Sequence, residues 1–236
     1  MRTVAVCSLG KTRYADAWKL QQQLFELRRR GGSGDLLVLN EHEHVYTIGK
    51  AGDDNHLLAS DEELRREGVD VFHIDRGGDI TYHGPGQLVG YPILDLNVYG
   101  ADIHRYLRSL EEVLIRALKD FGIAGEREEG MTGVWVKGEK IAALGVKVSR
   151  WITMHGFALN VNTDLGKFGR IIPCGIFHKG VTSMQRLLGA SVSMTDVERS
   201  VAEAFAEVFA CRMTAMSAEK LHALVSLAAP AETPTA

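Results

Sequence analysis

Between residues 76 and 87 the chain reads Arg76-Gly77-Gly78-Asp79-Ile80-Thr81-Tyr82-His83-Gly84-Pro85-Gly86-Gln87. Gly84-Pro85-Gly86 predicts a tight turn, because proline fixes its own φ and glycine adopts conformations that other residues avoid. The turn separates predicted buried strands at residues 80–82 and 88–94. The paired glycines Gly77 and Gly78 let backbone approach a ligand closely and expose N–H groups. A ligand-binding loop and a plain glycine-rich connection fit this composition equally well.

The segments on either side of this turn mix strands and helices without regular βαβ alternation. We therefore predict an α+β fold, with a mostly antiparallel or mixed sheet that carries helices on one side. Further strands are predicted at residues 4–9, 35–39, 45–48, 71–74, 133–136, 140–148 and 152–161. Helices are predicted at residues 14–27, 60–67, 102–121, 181–188 and 195–210. Two of them have capping-box spacing at their start, Ser60 with Glu63 and Thr195 with Glu198. We expect Cys211 to end the last helix.

Composition narrows the class of protein. The chain has 236 residues, a formal net charge of -3 and 24% charged residues, and it lacks the basic excess of a nucleic-acid binder. No apolar run approaches the ~18 residues that cross a bilayer, and the N-terminus lacks the apolar core of a signal peptide. Three scattered cysteines fit a reducing cytosol. We expect one cytoplasmic domain over residues 1–227, a disordered tail over 228–236, and binding to neither nucleic acid nor membrane.

Cys174 lies between Pro173 and Gly175, in a stiff bend that asks for no bulky apolar side chain. We therefore expect its thiol to be presented as a candidate nucleophile, whereas Cys7 and Cys211 are typical buried cysteines. Lys140 begins an apolar strand. Alone, such a lysine is typical of a solvated edge charge. Beside a thiol, its ammonium would favour the thiolate, and its neutral amine could act as a base.

Histidines offer weaker candidates. Strand alternation would place His42 and His44 on one face, but no third ligand has suitable spacing, and we predict no metal site. His178 or His155 could instead pair with Cys174 in a hydrolase dyad. The run His155-Gly156-Phe157-Ala158-Leu159-Asn160 alternates bulky and small residues. That pattern fits the wall of a narrow apolar slot or an ordinary core strand.

These segments together resemble the lipoyl(octanoyl) transferases, the octanoyltransferase family of lipoate biosynthesis. The matching segments occur in the family's order from about residue 35 to 190, and they are residues 45–49, 76–87, 133–136, 140–145, 155–160 and 173–175. The resemblance implies the biotin/lipoate ligase catalytic fold. It implies octanoyl transfer from octanoyl-acyl carrier protein to a lysine of the lipoyl domains of 2-oxoacid dehydrogenase E2 subunits and of the glycine-cleavage H protein. No cofactor is implied, since the carrier's phosphopantetheine holds the octanoyl group. The chain departs from the family near Glu43 and His44, where proline is frequent.

The resemblance also implies roles for individual residues. Cys174 matches the acyl-thioester cysteine, and Lys140 matches the lysine that lowers its pKa. The matching substrate-binding residues are Arg76, Gly77, Gly78, Asp79, Ile80, Thr81, Tyr82, His83, Ala143, Leu144, Gly145, Gly156, Phe157 and Ala158. We expect the small residues of this set to line an acyl slot that Gly156→Leu would block. The alternatives are an ATP-dependent lipoate or biotin ligase on the same fold, a thiol hydrolase, and a non-catalytic acyl-binding module.

Overall fold

The computed structural model describes residues 1–172 and 180–228 of the chain. Its strands are β1 (Arg2–Thr12), β2 (Asp35–His42), β3 (Val45–Ile48), β4 (Asp70–His73), β5 (Ile80–His83), β6 (Gln87–Ile93), β7 (Val134–Val136), β8 (Glu139–Ser149), β9 (Ile152–Asn160) and β10 (Cys211–Ala215). Its α-helices are α1 (Tyr14–Arg29), α2 (Asp61–Glu67), α3 (Ile103–Asp120), α4 (Met184–Leu188), α5 (Met194–Val208) and α6 (Ala218–Ala228). The predicted bend around Cys174 lies outside the described residues, as does the predicted tail over residues 228–236 except for Ala228, which is the last residue of α6.

The strands form two sheets. The larger has seven strands in the order β10-β1-β2-β6-β9-β8-β7, and the smaller has three in the order β4-β3-β5. In the large sheet β1 runs parallel to both of its neighbours, and the remaining pairs are antiparallel. The predicted α+β fold with a mixed, mostly antiparallel sheet is confirmed.

Helices cover both faces of the large sheet, so the prediction of helices on one side was wrong. On one face Leu37 and Leu39 pack in a core with α3 and α5. On the other face Leu36 and Val38 pack with α1 and α6. The apolar run of β2 explains this, because a strand with buried residues on both faces needs cover on both. No helix in the described part of the chain is long and apolar enough to cross a membrane.

The sequence mispredicted the C-terminal elements. Cys211 begins β10, which pairs in parallel with β1, whereas we expected it to end a helix. Helix α5 begins one residue earlier than predicted and is capped by Ser193, whose hydroxyl accepts from the Asp196 N–H. The predicted cap partner Glu198 instead accepts a hydrogen bond from the Ser8 hydroxyl (2.9 Å). The capping box of α2, Ser60 with Glu63, is confirmed.

The predicted glycine-proline turn joins the two sheets. The Gln87 N–H donates to the Gly84 carbonyl (3.1 Å), and Gly86 has a φ of +79°. This backbone conformation favours glycine. The turn carries the chain from β5 of the small sheet into β6 of the large one. The glycine loop that precedes β5 reaches the large sheet as well, where the Gly77 N–H donates to the carbonyl of Val146 on β8 (2.9 Å).

Candidate active site

A cavity of about 530 Å³ lies where the glycine loop meets strands β6, β8 and β9. This volume is within the range of small-molecule sites. The structure brings nearly all of the predicted site residues of its described part to this cavity. They are Arg76, Gly77, Gly78, Asp79, Ile80, Thr81, His83, Lys140, Ala143, Leu144, Gly145, Gly156, Phe157 and Ala158.

Tyr82 is the predicted binding residue that does not line the cavity. Its side chain is fully buried in the core of the small sheet, and its hydroxyl lies 2.6 Å from Nδ1 of His44. His42 has a different partner, since its Nε2 lies 2.5 Å from the Tyr91 hydroxyl. The two histidines therefore do not converge. Among the described residues, no three His, Cys, Asp or Glu side chains form a group that could hold a metal.

At one end of the cavity, Lys140 is held by its backbone and by an aromatic ring. The Lys140 N–H donates to the Gly180 carbonyl (2.9 Å), and the Lys140 carbonyl accepts from the Thr182 N–H (3.0 Å). Nζ lies 4.7 Å from the centroid of the Trp135 ring, which stabilises a positive charge on the amine. Cys174 precedes Gly180 by six residues in the sequence and lies outside the described residues.

Glu111 supports the wall beside this lysine. Gly133 packs against the aliphatic part of the Lys140 side chain. A Cβ added at this glycine would lie only 3.3 Å from Cε of the lysine. The Gly133 N–H donates to Oε1 of the buried Glu111 (3.0 Å), whose other oxygen accepts from Arg108 (2.7 Å) and Arg127 (3.1 Å). The two arginines neutralise the buried carboxylate, so it can hold the Gly133 backbone in place.

His155 lies toward the opposite end of the cavity. It pairs with Val146, six residues along β8 from Lys140, which corresponds to about 20 Å of strand. Its φ is +59°, its N–H donates to Gln21 Oε1 (3.1 Å), and its Nε2 lies 2.8 Å from Asp75 Oδ1. Burial lowers the pKa of His155 although Asp75 opposes the shift. Hydrogen bonds from His155 and then Lys147 hold the pKa of Asp75 far below its usual value.

Arg76 and His83 form the polar part of the wall. The Arg76 guanidinium donates to the carbonyl (2.7 Å) and hydroxyl (3.0 Å) of Thr47 and to the Gly77 carbonyl (3.0 Å). These contacts fix the glycine loop on β3. Burial lowers the pKa of His83 to about 3, so this side chain is neutral at physiological pH.

Two positions in the cavity wall require glycine because another strand or loop packs directly against their Cα atoms. A Cβ on Gly156 would lie 2.1 Å from the carbonyl oxygen of Gly90 on β6. A Cβ on Gly145 would lie 2.9 Å from the Gly77 carbonyl and equally close to Cδ of Arg76. We expect Gly156→Leu to block the slot, and the structure shows that the added side chain would also collide with β6.

Sequence reasoning missed a further set of lining residues. They include Tyr14, Val89, Tyr91, Ile103, Leu107, Met131, Thr132, Trp135, Phe168 and Val181. One of them carried a signal, since Trp135 belongs to a segment that resembles the family. The remaining ones come from elements far apart in the sequence.

Comparison with known proteins agrees with this architecture. Residues 13–206 match the family described as lipoyl protein ligase A/B catalytic domain. A bi-partite lipoate protein ligase from Thermoplasma acidophilum superposes with a TM-score of 0.72 at 17% identity, covering 96% of this chain and 92% of that one. The biotin protein ligase from Aquifex aeolicus gives a TM-score of 0.51 at 14% identity, covering 89% and 70%. The fold is thus that of the biotin and lipoate ligase catalytic domains.

Sequence relatives narrow the class. The chain is 56% identical over 201 residues to an octanoyltransferase from Rubrobacter xylanophilus, covering 84% of this chain and 90% of the relative. It is 50% identical over 224 residues to an octanoyltransferase from Caldicellulosiruptor saccharolyticus, covering 94% and 95%. The chain belongs to the octanoyltransferases, a family of acyltransferases within the lipoyl protein ligase A/B catalytic domains.

Proposed function

We propose that this enzyme moves an octanoyl group from octanoyl-acyl carrier protein to the ε-amine of a lysine on lipoyl domains and on the glycine-cleavage H protein, through a thioester at Cys174. The observation that carries the proposal is the cavity that has Lys140 at one end and His155 toward the other. Its walls are largely apolar side chains and glycines. Burying six methylenes of the acyl chain would contribute roughly 5 kcal/mol at ~0.8 kcal/mol each.

The proposed first step acylates the enzyme. The Lys140 ammonium favours the Cys174 thiolate, whose sulfur attacks the carbonyl carbon of the donor thioester. The bond from that carbon to the phosphopantetheine sulfur then breaks. The departing thiolate takes a proton from Lys140, which is left as a neutral amine. Support for Lys140 comes from its place in the cavity wall and from the anchored backbone on both of its sides.

The proposed second step transfers the acyl group. The neutral amine of the acceptor lysine attacks the Cys174 thioester carbonyl and gives up a proton to Lys140. The carbon–sulfur bond breaks, an amide forms, and the ammonium–thiolate pair returns. Splitting the reaction lets the carrier protein and the acceptor domain use one site in turn. In this proposal backbone N–H groups near Cys174 or along residues 143–145 stabilise the oxyanion. We assign the reaction to the cytoplasm.

The degree of sequence identity to known proteins favours octanoyl transfer over ATP-dependent ligation. The octanoyltransferase relatives share about half of their residues with this chain, whereas the ligase structures share its fold at 14–17% identity. A ligase would activate a free acid as an adenylate and would need no cysteine. Lipoylation that requires ATP and survives Cys174→Ala would therefore support the ligase alternative.

Intact-mass analysis after incubation with octanoyl-acyl carrier protein tests the proposal. We expect a mass gain of one octanoyl group that is lost in Cys174→Ser, and a second gain on a lipoyl domain added later. Lys140→Ala should form the adduct at least 10-fold more slowly at neutral pH, because less of the thiol is ionised. An adduct that persists in Cys174→Ser would contradict the thioester. Release of free octanoate without acyl-domain product would indicate a hydrolase.

A further inference from the structure

Buried side chains form a continuous hydrogen-bonded row between the backbone next to Lys140 and His83, the last residue of β5. Asn160 Nδ2 donates to the Thr182 carbonyl (3.1 Å), and Asn160 Oδ1 accepts from Gln87 Nε2 (2.9 Å). Gln87 Oε1 lies 2.8 Å from His83 Nδ1. The exposed fractions are 4% for Asn160, 1% for Gln87 and 0% for Thr182. A buried row of this kind strongly constrains the groups at its ends.

The donors and acceptors in this row have one consistent assignment. Gln87 Nε2 faces two acceptors, the Tyr82 carbonyl (3.1 Å) and Asn160 Oδ1, so the amide nitrogen must point that way. Gln87 Oε1 then accepts, and neutral His83 carries its proton on Nδ1. The same logic leaves the Asn160 amide nitrogen as the donor to the Thr182 carbonyl.

Thr182 connects this row to the lysine. Residues 180–182 lie beside the first residues of β8, with the Gly180 carbonyl accepting from the Lys140 N–H and the Thr182 N–H donating to the Lys140 carbonyl. Asn160 is the last residue of β9 and holds the far side of Thr182. Removing the Asn160 donor would leave the buried Thr182 carbonyl without this hydrogen bond and loosen the segment that holds Lys140.

We propose that Asn160 is a positioning residue for Lys140, acting through the Thr182 backbone. The inference rests on the proposed catalytic role of Lys140. Asn160 would act only on the position of the Lys140 side chain. Its loss should therefore lower the rate of acyl transfer and leave the affinity for the acyl donor unchanged. Misplacing a reacting group by about 1 Å can cost 100-fold in rate.

The test is a double-mutant cycle in which steady-state octanoyl transfer to a lipoyl domain is measured by intact-mass analysis, so that kcat and KM are obtained separately. Asn160→Asp keeps the side-chain shape but replaces the donor with a carboxylate oxygen. We expect a rate about 10- to 100-fold lower, with KM for octanoyl-acyl carrier protein within about twofold of the parent. In the Lys140→Ala background the same change should cost less than about threefold, because residues that act through one group are not additive.

Asn162→Asp is the matched control. Asn162 lies two residues further along the chain and clamps the Val192 backbone through both amide atoms (2.8 and 2.9 Å), away from the cavity. We expect its rate to stay within about twofold of the parent. If Asn160→Asp fails to fold, as judged by its unfolding transition, Asn160→Ser replaces it in the cycle.

The outcomes separate the two proposals. A full-rate Lys140→Ala enzyme overturns the role of Lys140 and the Asn160 inference with it. A slow Lys140→Ala enzyme in which Asn160→Asp multiplies the loss by its full factor leaves Lys140 in place and overturns the inference about Asn160. A rise in KM at unchanged kcat in Asn160→Asp also overturns that inference, since it would assign the residue to donor binding.

Discussion

Gly156 packs its Cα against β6 so closely that a side chain has no room. A Cβ there would lie 2.1 Å from the Gly90 carbonyl oxygen and 2.6 Å from the Pro92 ring. We expect Gly156→Ala to lower the free energy of unfolding by about 1–3 kcal/mol, because the strands must separate to admit the methyl group. Urea denaturation measures this change. Gly34→Ala is the control, since a Cβ there meets nothing within 4 Å, and an equal loss in both variants would contradict the packing argument.

At the residue scale, the sequence indicated the cavity wall where its residues lie in contiguous segments. Most residues from Arg76 to His83, and residues 143–145 on β8, line the cavity and belong to unbroken stretches of the chain. The contact between Asp75 and His155 joins residues 80 positions apart, and no local sequence pattern predicts it. Arg76 shows the same limit, since no local pattern indicates that its guanidinium donates to Thr47, 29 positions earlier in the chain.

At the scale of elements, the sequence contains two residues that could cap the start of helix α5. Ser193 and Thr195 each precede an acidic residue by three positions, so the sequence contains two overlapping capping frames. The structure uses Ser193, whose hydroxyl accepts from the Asp196 N–H at 3.3 Å. We expect Ser193→Ala to lower stability by about 1 kcal/mol and Thr195→Ala, at an exposed first-turn position, to change it by less than about 0.5 kcal/mol. Thermal unfolding of both variants decides between the frames, and the reverse order would restore Thr195 as the cap.

Element prediction failed where a strand depends on a distant partner. β10 is five residues long and forms because β1, at the other end of the chain, offers a parallel edge. Short strands of this kind carry little periodic signal of their own. Strand β2 was predicted as a strand, but the prediction that helices cover only one face of its sheet was wrong. Its unbroken apolar run indicated burial, but only the packing of α1 and α6 shows that both faces are covered.

At the scale of the whole molecule, the cavity depends on two sheets meeting, and buried histidines lie at that junction. Burial lowers the pKa of His42 to about 4 and of His83 to about 3, and it also lowers those of His44 and His155. His42 and His83 are therefore neutral in the folded protein at pH 6, where a part of the unfolded population is protonated. Stability is therefore coupled to proton uptake on unfolding.

The sign of that coupling gives a whole-molecule prediction. His42 has an ordinary pKa of 6.5 when unfolded, so below that pH the unfolded chain binds a proton that the folded protein does not bind until about pH 4. The stability that neutral His42 contributes is complete above pH 6.5 and falls by about 1.4 kcal/mol per pH unit as acid is added. We expect the difference in unfolding free energy between the parent and His42→Gln to shrink by about that slope between pH 6 and pH 4.5, measured by urea denaturation.

The control variant is His222→Gln, at an exposed position of α6. Its unfolding free energy should follow that of the parent in parallel across the same pH range. Carboxylates such as Glu67, with a pKa held at about 2 by Lys167 and Arg170, titrate in the parent and in His42→Gln alike, so the difference between the two curves isolates His42. A parent and a His42→Gln variant with parallel curves would show that His42 does not couple folding to pH.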